Sequence, residues 1–271
     1  MMHPDIEEYK KQFQTDGFVI IPDLIPLEQI NIIYEAIFRL LQKFAPERAE
    51  KCTGEKPWFG LKFHDELINL KESEPKIFSK LYDSLQTHSI IQRIGNSENI
   101  LQVASKLLKK PNEDLPWINL SNTPVLFRMD EPKKNSHTLD WHQEQVSYDQ
   151  NDDGNNGLVV WIPLQDVNKI DGTLDVCIGS HKEGFLQPTH AGTYGNIQNT
   201  KKFLSDDVAK NYEQKSVDMK MGDALFVSML VLHKSGNMDY ANRLRFTVTM
   251  RIHNSFSKDF NPGRIRFERS V

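Results

Sequence analysis

Residues 243–252 read RLRFTVTMRI, and the two parities of this stretch differ in kind. Arg243, Arg245, Thr247 and Thr249 share one parity, while Leu244, Phe246, Val248 and Met250 share the other. Successive side chains of a strand point to opposite faces, so one face is polar and the other must pack. A polar face most often meets solvent; here it could instead line an interior cavity. An arginine on a cavity face could grip a carboxylate with a two-pronged fork.

Similar strand-like runs recur upstream. They are VLFRM (125–129), LVVWIPL (158–164), TLDVCI (173–178), SVDMK (216–220) and ALFVSMLV (224–231). Turn-rich segments such as DEPKKNS, DQNDDGNNG and NKIDG separate them. Many strands joined in this way predict an all-β barrel or sandwich from about residue 123 onward. The first third has a different texture. Pro26 suits the first turn of a helix, and Ile30, Ile33, Ile37, Leu40 and Phe44 follow at spacings of three and four. A second helix is expected from Pro75, carrying Ile77 and Leu81, and a third over Asn96–Leu108. GFVII at 17–21 predicts a short strand ending at Pro22. No fixed repeat and no clear linker stand out. The expectation is one domain over 1–271, mainly β, with a helix-rich layer over about 1–122 and a β core over about 123–271. The long polar stretch 185–215 reads as a lid.

Composition narrows the function classes. Hydrophobic residues make up 38% and charged residues 26% of 271 residues, which suits a soluble globular enzyme. With 33 basic and 37 acidic residues the formal charge is 33 − 37 = −4, so charge gives no reason to expect nucleic acid or an anionic membrane as partner. Cys52 and Cys177 stand far apart without CxxC spacing and read as reduced thiols in a cytoplasm. The start, MMHPDIEEYKKQF, does not resemble a signal peptide. No apolar run approaches the ~20 residues that span a bilayer.

LDWHQEQVSYDQ (139–150) holds the most chemistry. His142 and Glu144 are two residues apart, so in extended chain they project to the same side. A third metal ligand must come from elsewhere, and His233 at the end of LFVSMLVLH is the best candidate. Two imidazoles and one carboxylate on one face of an octahedral ion leave three positions open, the arrangement of non-haem iron oxygenases. An HxE pair alone is weak evidence in a chain with nine histidines. Context strengthens it: Ser235, Arg243 and Arg245 lie just downstream of His233.

The order of motifs resembles the phytanoyl-CoA dioxygenase family. The resemblance runs through DGFVIIPD (16–23), WHQE (141–144), GLVVWIPLQDV (157–167), GTLDVCIGSHKEG (172–184), GDALFVSMLVLHKSGN (222–237) and NRLRFTVTMRIH (242–253). It implies a double-stranded β-helix (a jelly-roll, cupin-like barrel) that uses Fe(II), 2-oxoglutarate and O2. It further implies His142, Glu144 and His233 as the metal triad, with Ser235, Trp161 and Arg245 around the cosubstrate. Arg243 is the alternative to Arg245, because Arg245 lies slightly farther from His233 than the family's spacing. The family usually carries Asp where Glu144 stands; Glu keeps the ligand chemistry with one more methylene. Related halogenases lack this carboxylate, so Glu144 points to hydroxylation or desaturation. His181, in the GSH turn, is implied to be structural or substrate-facing, and His137 and Asp140 read as loop residues. The family's substrates vary widely. The polar loops 145–157 and 185–215 suggest a polar small molecule, and no basic cluster suits a coenzyme A phosphate. Two rival classes fit the same barrel: a cupin-like metal-dependent isomerase or hydrolase, and a non-catalytic small-molecule binding protein.

Overall fold

The first helix, α1 (Ile6–Asp16), stops at Gly17, whose φ is +85° and whose N–H donates to Phe13 O at 2.9 Å. Glycine adopts that left-handed conformation without penalty, and any Cβ there would collide with Val231 and His181. The turn feeds β1 (Phe18–Ile21). The computed structural model describes residues 5–110, 113–133, 139–147, 154–194 and 197–261. His137, residues 148–153 of the 145–157 loop and residues 195–196 of the 185–215 stretch lie outside the described residues.

The helical layer continues with α2 (Leu27–Phe44), α3 (Pro46–Ala49), α4 (Leu61–Ser73), α5 (Pro75–Gln86), α6 (Ser89–Gly95) and α7 (Glu98–Leu108). On α2 the buried stripe is Ile30, Ile33, Tyr34, Ile37, Phe38 and Leu41. Leu40 and Phe44, expected on it, are half-buried, because a 3.6-residue period carries the stripe through 37, 38 and 41. The helix expected over 96–108 is α7, with Ser97 in the N-cap position, and the short α6 ends just before it at Asn96. Four helices of this layer, α1, α3, α4 and α6, were not foreseen. α1 buries just Phe13. In α4 the buried positions include His64 and Glu66, which blur the apolar period.

The strands after β1 are β2 (Leu120–Asn122), β3 (Leu126–Asp130), β4 (Gly157–Pro163), β5 (Leu174–Cys177), β6 (His190–Tyr194), β7 (Ile197–Phe203), β8 (Gln214–Ser216), β9 (Ala224–Ser228), β10 (His233–Ser235) and β11 (Arg245–Asn254). The larger antiparallel sheet runs β1–β9–β4–β11–β2, with β3 also paired to β11; the smaller runs β10–β5–β8, and β6 and β7 form a separate pair.

The parity rule decides what each face meets. Leu158, Val160, Phe226, Phe246, Val248, Met250 and Ile252 share one core with Ile30, Ile33 and Ile37 of α2. Val159, Trp161, Leu225 and Val227 meet Leu174 and Val176 of the smaller sheet and Val217, which directly follows β8. Two antiparallel sheets face to face, with helices on the outer face of the larger one, make the expected jelly-roll. The polar parity of β11 therefore faces inward. Arg245, Thr247, Thr249 and His253 are all buried there.

Two strand expectations needed correction. ALFVSMLV is not one strand: it ends at Ser228, which accepts Leu230 N at its hydroxyl (3.2 Å) and Val231 N at its carbonyl (3.1 Å). The turn carries the chain across, and His233 opens β10 in the opposite sheet. SVDMK is a strand just over its start; Met219 then makes an isolated bridge to Val167.

His64 sits in the core between α4 and β11, stacked on Phe246 with ring centroids 5.1 Å apart. Burial, then the Arg243 charge, lower its pKa to about 4. The unfolded chain takes up the proton first, near the ordinary value of ~6.5. The neutral ring therefore contributes stability that is intact above ~6.5 and is lost as pH falls through about 4. Between pH 7 and pH 5, His64→Phe is expected to lose about 2 kcal/mol less stability than the parent chain, by urea unfolding. Equal losses in both proteins would show that His64 is not buried neutral.

Candidate metal centre

His142 and His233 meet across the end of the smaller sheet. Their backbones exchange hydrogen bonds of 2.9 and 3.0 Å in an isolated antiparallel bridge, and the ring centroids lie 4.3 Å apart. Each Nδ1 has a backbone carbonyl in reach: Asp140 O at 2.7 Å for His142 and Val231 O at 2.9 Å for His233. With Nδ1–H donated to a carbonyl, the lone pair of each ring is left on Nε2, the arrangement that orients metal-binding histidines. Glu144 completes the group. Its Oε2 stands 3.6 Å from His142 Nε2 and 3.7 Å from His233 Nε2. All three residues are buried, and one ligand atom from each lies within 4.8 Å of the others.

The local chain explains how two neighbours converge. The sequence suggested a strand through His142 and Glu144. The structure has a bridge residue followed at Glu144 by a short 3-10 turn over Glu144–Val146. The extended step survives in Gln143, at φ −105° and ψ 137°. Gln143 points the other way and is buried; its amide donates to Leu230 O (2.6 Å) and Gly184 O (2.9 Å) and accepts from Leu186 N (2.7 Å). That one side chain ties the motif to the turn after β9 and to the start of the 185–215 stretch.

The electrostatics favour a bound cation. Burial, then the neighbouring His142, lower the His233 pKa to about 4, so the ring is neutral near pH 7. Burial raises the Glu144 carboxyl, but Arg251 and the two histidines outweigh it and hold it well below the ordinary range. Arg251 donates to Glu144 Oε1 from Nε at 2.9 Å and from Nη2 at 2.6 Å. A neutral His233 imidazole and an ionised Glu144 carboxylate are the states in which these ligands bind a divalent transition metal.

A second cluster lies farther along β11. Arg245 is buried, donates from Nη2 to Asp130 Oδ2 at 2.8 Å, and lies over the Trp161 ring at 5.7 Å. Its Nε and Nη1, and the Thr247 hydroxyl, have no hydrogen-bond partner among the described residues. Asp130 also accepts from Arg128 at 2.7 Å. Burial raises its pKa, but the two arginines outweigh that and keep it ionised. A buried guanidinium with two donors to spare costs free energy until an anion fills the place. Ser235 Oγ accepts Leu139 N at 3.0 Å, which leaves its own proton to donate. Arg243 does not join this cluster. It precedes β11, is partly exposed, and donates to Asp166 O at 3.1 Å.

His181 reaches Gln14 O at 3.1 Å and so braces the GSH turn against α1. Asp140 contributes its carbonyl to His142 rather than its carboxylate. In the 185–215 stretch, β6 and β7 form a hairpin whose last residue, Phe203, stands edge-on to His142 at 6.2 Å. Leu204 N then donates to Trp141 O at 2.7 Å. Cys52 and Cys177 are buried, unpaired thiols, and among the described residues no helix is long and apolar enough to cross a membrane.

The phytanoyl-CoA dioxygenase (PhyH) family pattern matches residues 13–239 of the 271. The chain belongs to the phytanoyl-CoA dioxygenase family. The span matched contains His142, Glu144, His233 and Ser235, and β11 with Arg245 and Arg251 follows it. Solved structures share the fold at low identity. AviO1 from Streptomyces viridochromogenes Tue57 is 16% identical at a TM-score of 0.56, covering 96% of this chain and 100% of its own. EvdO2 from Micromonospora carbonacea var. aurantiaca, solved with 2-oxoglutarate, is 16% identical at 0.56 and covers 94% of each chain. SnoK, a non-heme alpha-ketoglutarate-dependent carbocyclase from nogalamycin biosynthesis, is 16% identical at 0.56, covering 92% of this chain and 83% of its own. No curated protein matches the chain.

Sequence reasoning missed Arg251, Asp130, Gln143 and Phe203. A signal existed for Arg251, which continues the inward parity of 245, 247 and 249. None existed for Asp130 or Phe203, whose roles depend on partners far away in the chain.

Proposed function

We propose that this protein is an Fe(II)- and 2-oxoglutarate-dependent oxygenase that hydroxylates a small, polar substrate. The convergence of His142 Nε2, His233 Nε2 and Glu144 Oε2 carries this reading. Those three atoms would hold Fe(II). Arg245 and Ser235 would hold the far carboxylate of 2-oxoglutarate, with Trp161 against it; the two spare Arg245 donors and the Thr247 hydroxyl suit that anion. Bound there, iron, 2-oxoglutarate and O2 supply oxidising power with release of succinate and CO2.

The chain's own residues do the rest. The backbone carbonyls of Asp140 and Val231 fix the imidazoles. Asp130 holds one edge of the Arg245 guanidinium and so aims the other edge. The inward apolar residues Val159, Trp161, Leu225 and Val227 keep the interior dry, which strengthens each charged contact. Phe203 packs beside His142, so the 185–215 stretch supplies one wall of the metal site.

Anaerobic titration of metal-free protein with Fe(II) and then 2-oxoglutarate tests the proposal. A weak visible charge-transfer band that needs both additions is expected. Metal uptake without such a band would favour a cupin-like isomerase or hydrolase. No metal uptake would favour a non-catalytic barrel.

A further inference from the structure

We infer that Arg251 is a positioning residue that clamps Glu144 to coordination through a single oxygen, and that the longer glutamate stands at this position because it must reach the guanidinium and the metal at once. The inference rests on the metal reading above. Both Arg251 donors fall on one oxygen, Oε1, at 2.9 and 2.6 Å, while Oε2 faces the two Nε2 atoms at 3.6 and 3.7 Å. The carboxylate is thus divided: one oxygen belongs to the protein and one to the ion.

The division matters because an unrestrained carboxylate can chelate through both oxygens. That would fill one of the three positions which a two-histidine, one-carboxylate site leaves open for cosubstrate and O2. Arg251 is well placed to prevent it. It sits in the middle of β11, paired to Val159 of β4, so its backbone is fixed by the sheet. Its side chain is 11% exposed, and that of Glu144 5%. Aspartate is one methylene shorter. Anchored at the same backbone position it could touch the metal or the guanidinium, but it could not span to both.

Arg251 acts on the metal in two opposed ways. Its charge disfavours a nearby divalent ion, while its fork orders the ligand. Arg251→Lys keeps the charge and removes the fork, so it isolates the positioning effect. The test is anaerobic Co(II) titration of metal-free protein, following the visible ligand-field bands, which report coordination number and symmetry. Arg251→Lys is expected to bind Co(II) about tenfold more weakly or worse, as outer partners of metal ligands do when removed, and with an altered band shape. Glu144→Asp should lose a similar factor. The double variant should lose no more than the worse single one, because both changes break the same contact.

Far-ultraviolet circular dichroism controls for folding, and Glu144→Asp tests the contact from the other side should the arginine variant misfold. Co(II) binding within twofold of the parent protein and with unchanged bands in Arg251→Lys would overturn the inference, as would losses that multiply in the double variant. Parent protein that takes up no Co(II), or that does so equally well as His142→Ala, would instead sink the metal reading and this inference with it.

Discussion

His233→Ala should abolish 2-oxoglutarate turnover, a loss of at least about 10³-fold, and should remove the Fe(II)–2-oxoglutarate charge-transfer band. The site offers three protein donors, two from residues 142–144 and the third from the start of β10. Removing His233 leaves one imidazole and one carboxylate, a weaker and differently shaped donor set for a divalent transition ion. His142→Ala should do the same. The fold should persist in both variants, because the bridge between the two positions is made by main-chain atoms, with hydrogen bonds of 2.9 and 3.0 Å. Metal-free variants should therefore melt close to the metal-free parent. The same variants measured with excess Fe(II) should lack the stabilisation that metal confers on the parent, since a ligand stabilises only the state that binds it. Retained turnover in either variant would remove that histidine from the site.

Arg245→Ala should raise the 2-oxoglutarate KM by about two orders of magnitude and change kcat much less. Two charge-assisted hydrogen bonds to a carboxylate are worth about 1.5–3 kcal/mol each, and tenfold in affinity corresponds to about 1.4 kcal/mol. Part of this returns through water that enters the space, which brings the expected loss to about 3 kcal/mol. The variant should also be less stable, because Asp130 is buried and would keep just Arg128 as its cation. Arg245→Lys should recover part of the affinity, as a point charge without the fork. Arg243→Ala is the control. Arg243 is partly exposed and donates to a main-chain carbonyl, so its loss should shift KM by no more than about twofold. If Arg243→Ala carried the large effect and Arg245→Ala did not, the cosubstrate site would have been placed at the wrong end of the strand.

Much of this was legible in the sequence for a definite reason. Strand parity in RLRFTVTMRI separates a packing face from a polar one without any knowledge of the fold, because the pleat imposes a period of two. His142 and Glu144 are two residues apart, and a single extended residue, Gln143, is enough to aim both at one point. The burial stripe on α2 follows from its period in the same way, apart from the shift from Leu40 to Leu41. Such features are local, and local sterics decide them.

Other features depended on which segments meet. His233 was placed at the end of a long strand, but the chain turns after Ser228 and sets it in the opposite sheet. An apolar run has the same period whether it continues or bends, so the sequence alone could not locate the turn. The polar face of β11 could equally have met solvent; the smaller sheet across from it decided otherwise. Arg245 and Arg243 have the same parity, and the partner of each separates them: Asp130 lies 115 residues away from one, and the carbonyl of Asp166 lies 77 residues away from the other. Arg251 showed its parity in the sequence, yet its hold on Glu144 spans 107 residues. The sequence by itself determined which side chains share a face and which pair could grip a metal. Tertiary structure alone decided which faces were closed off from water, and with that which charges had to find partners, since an ion leaves water at a cost that only a specific neighbour can offset.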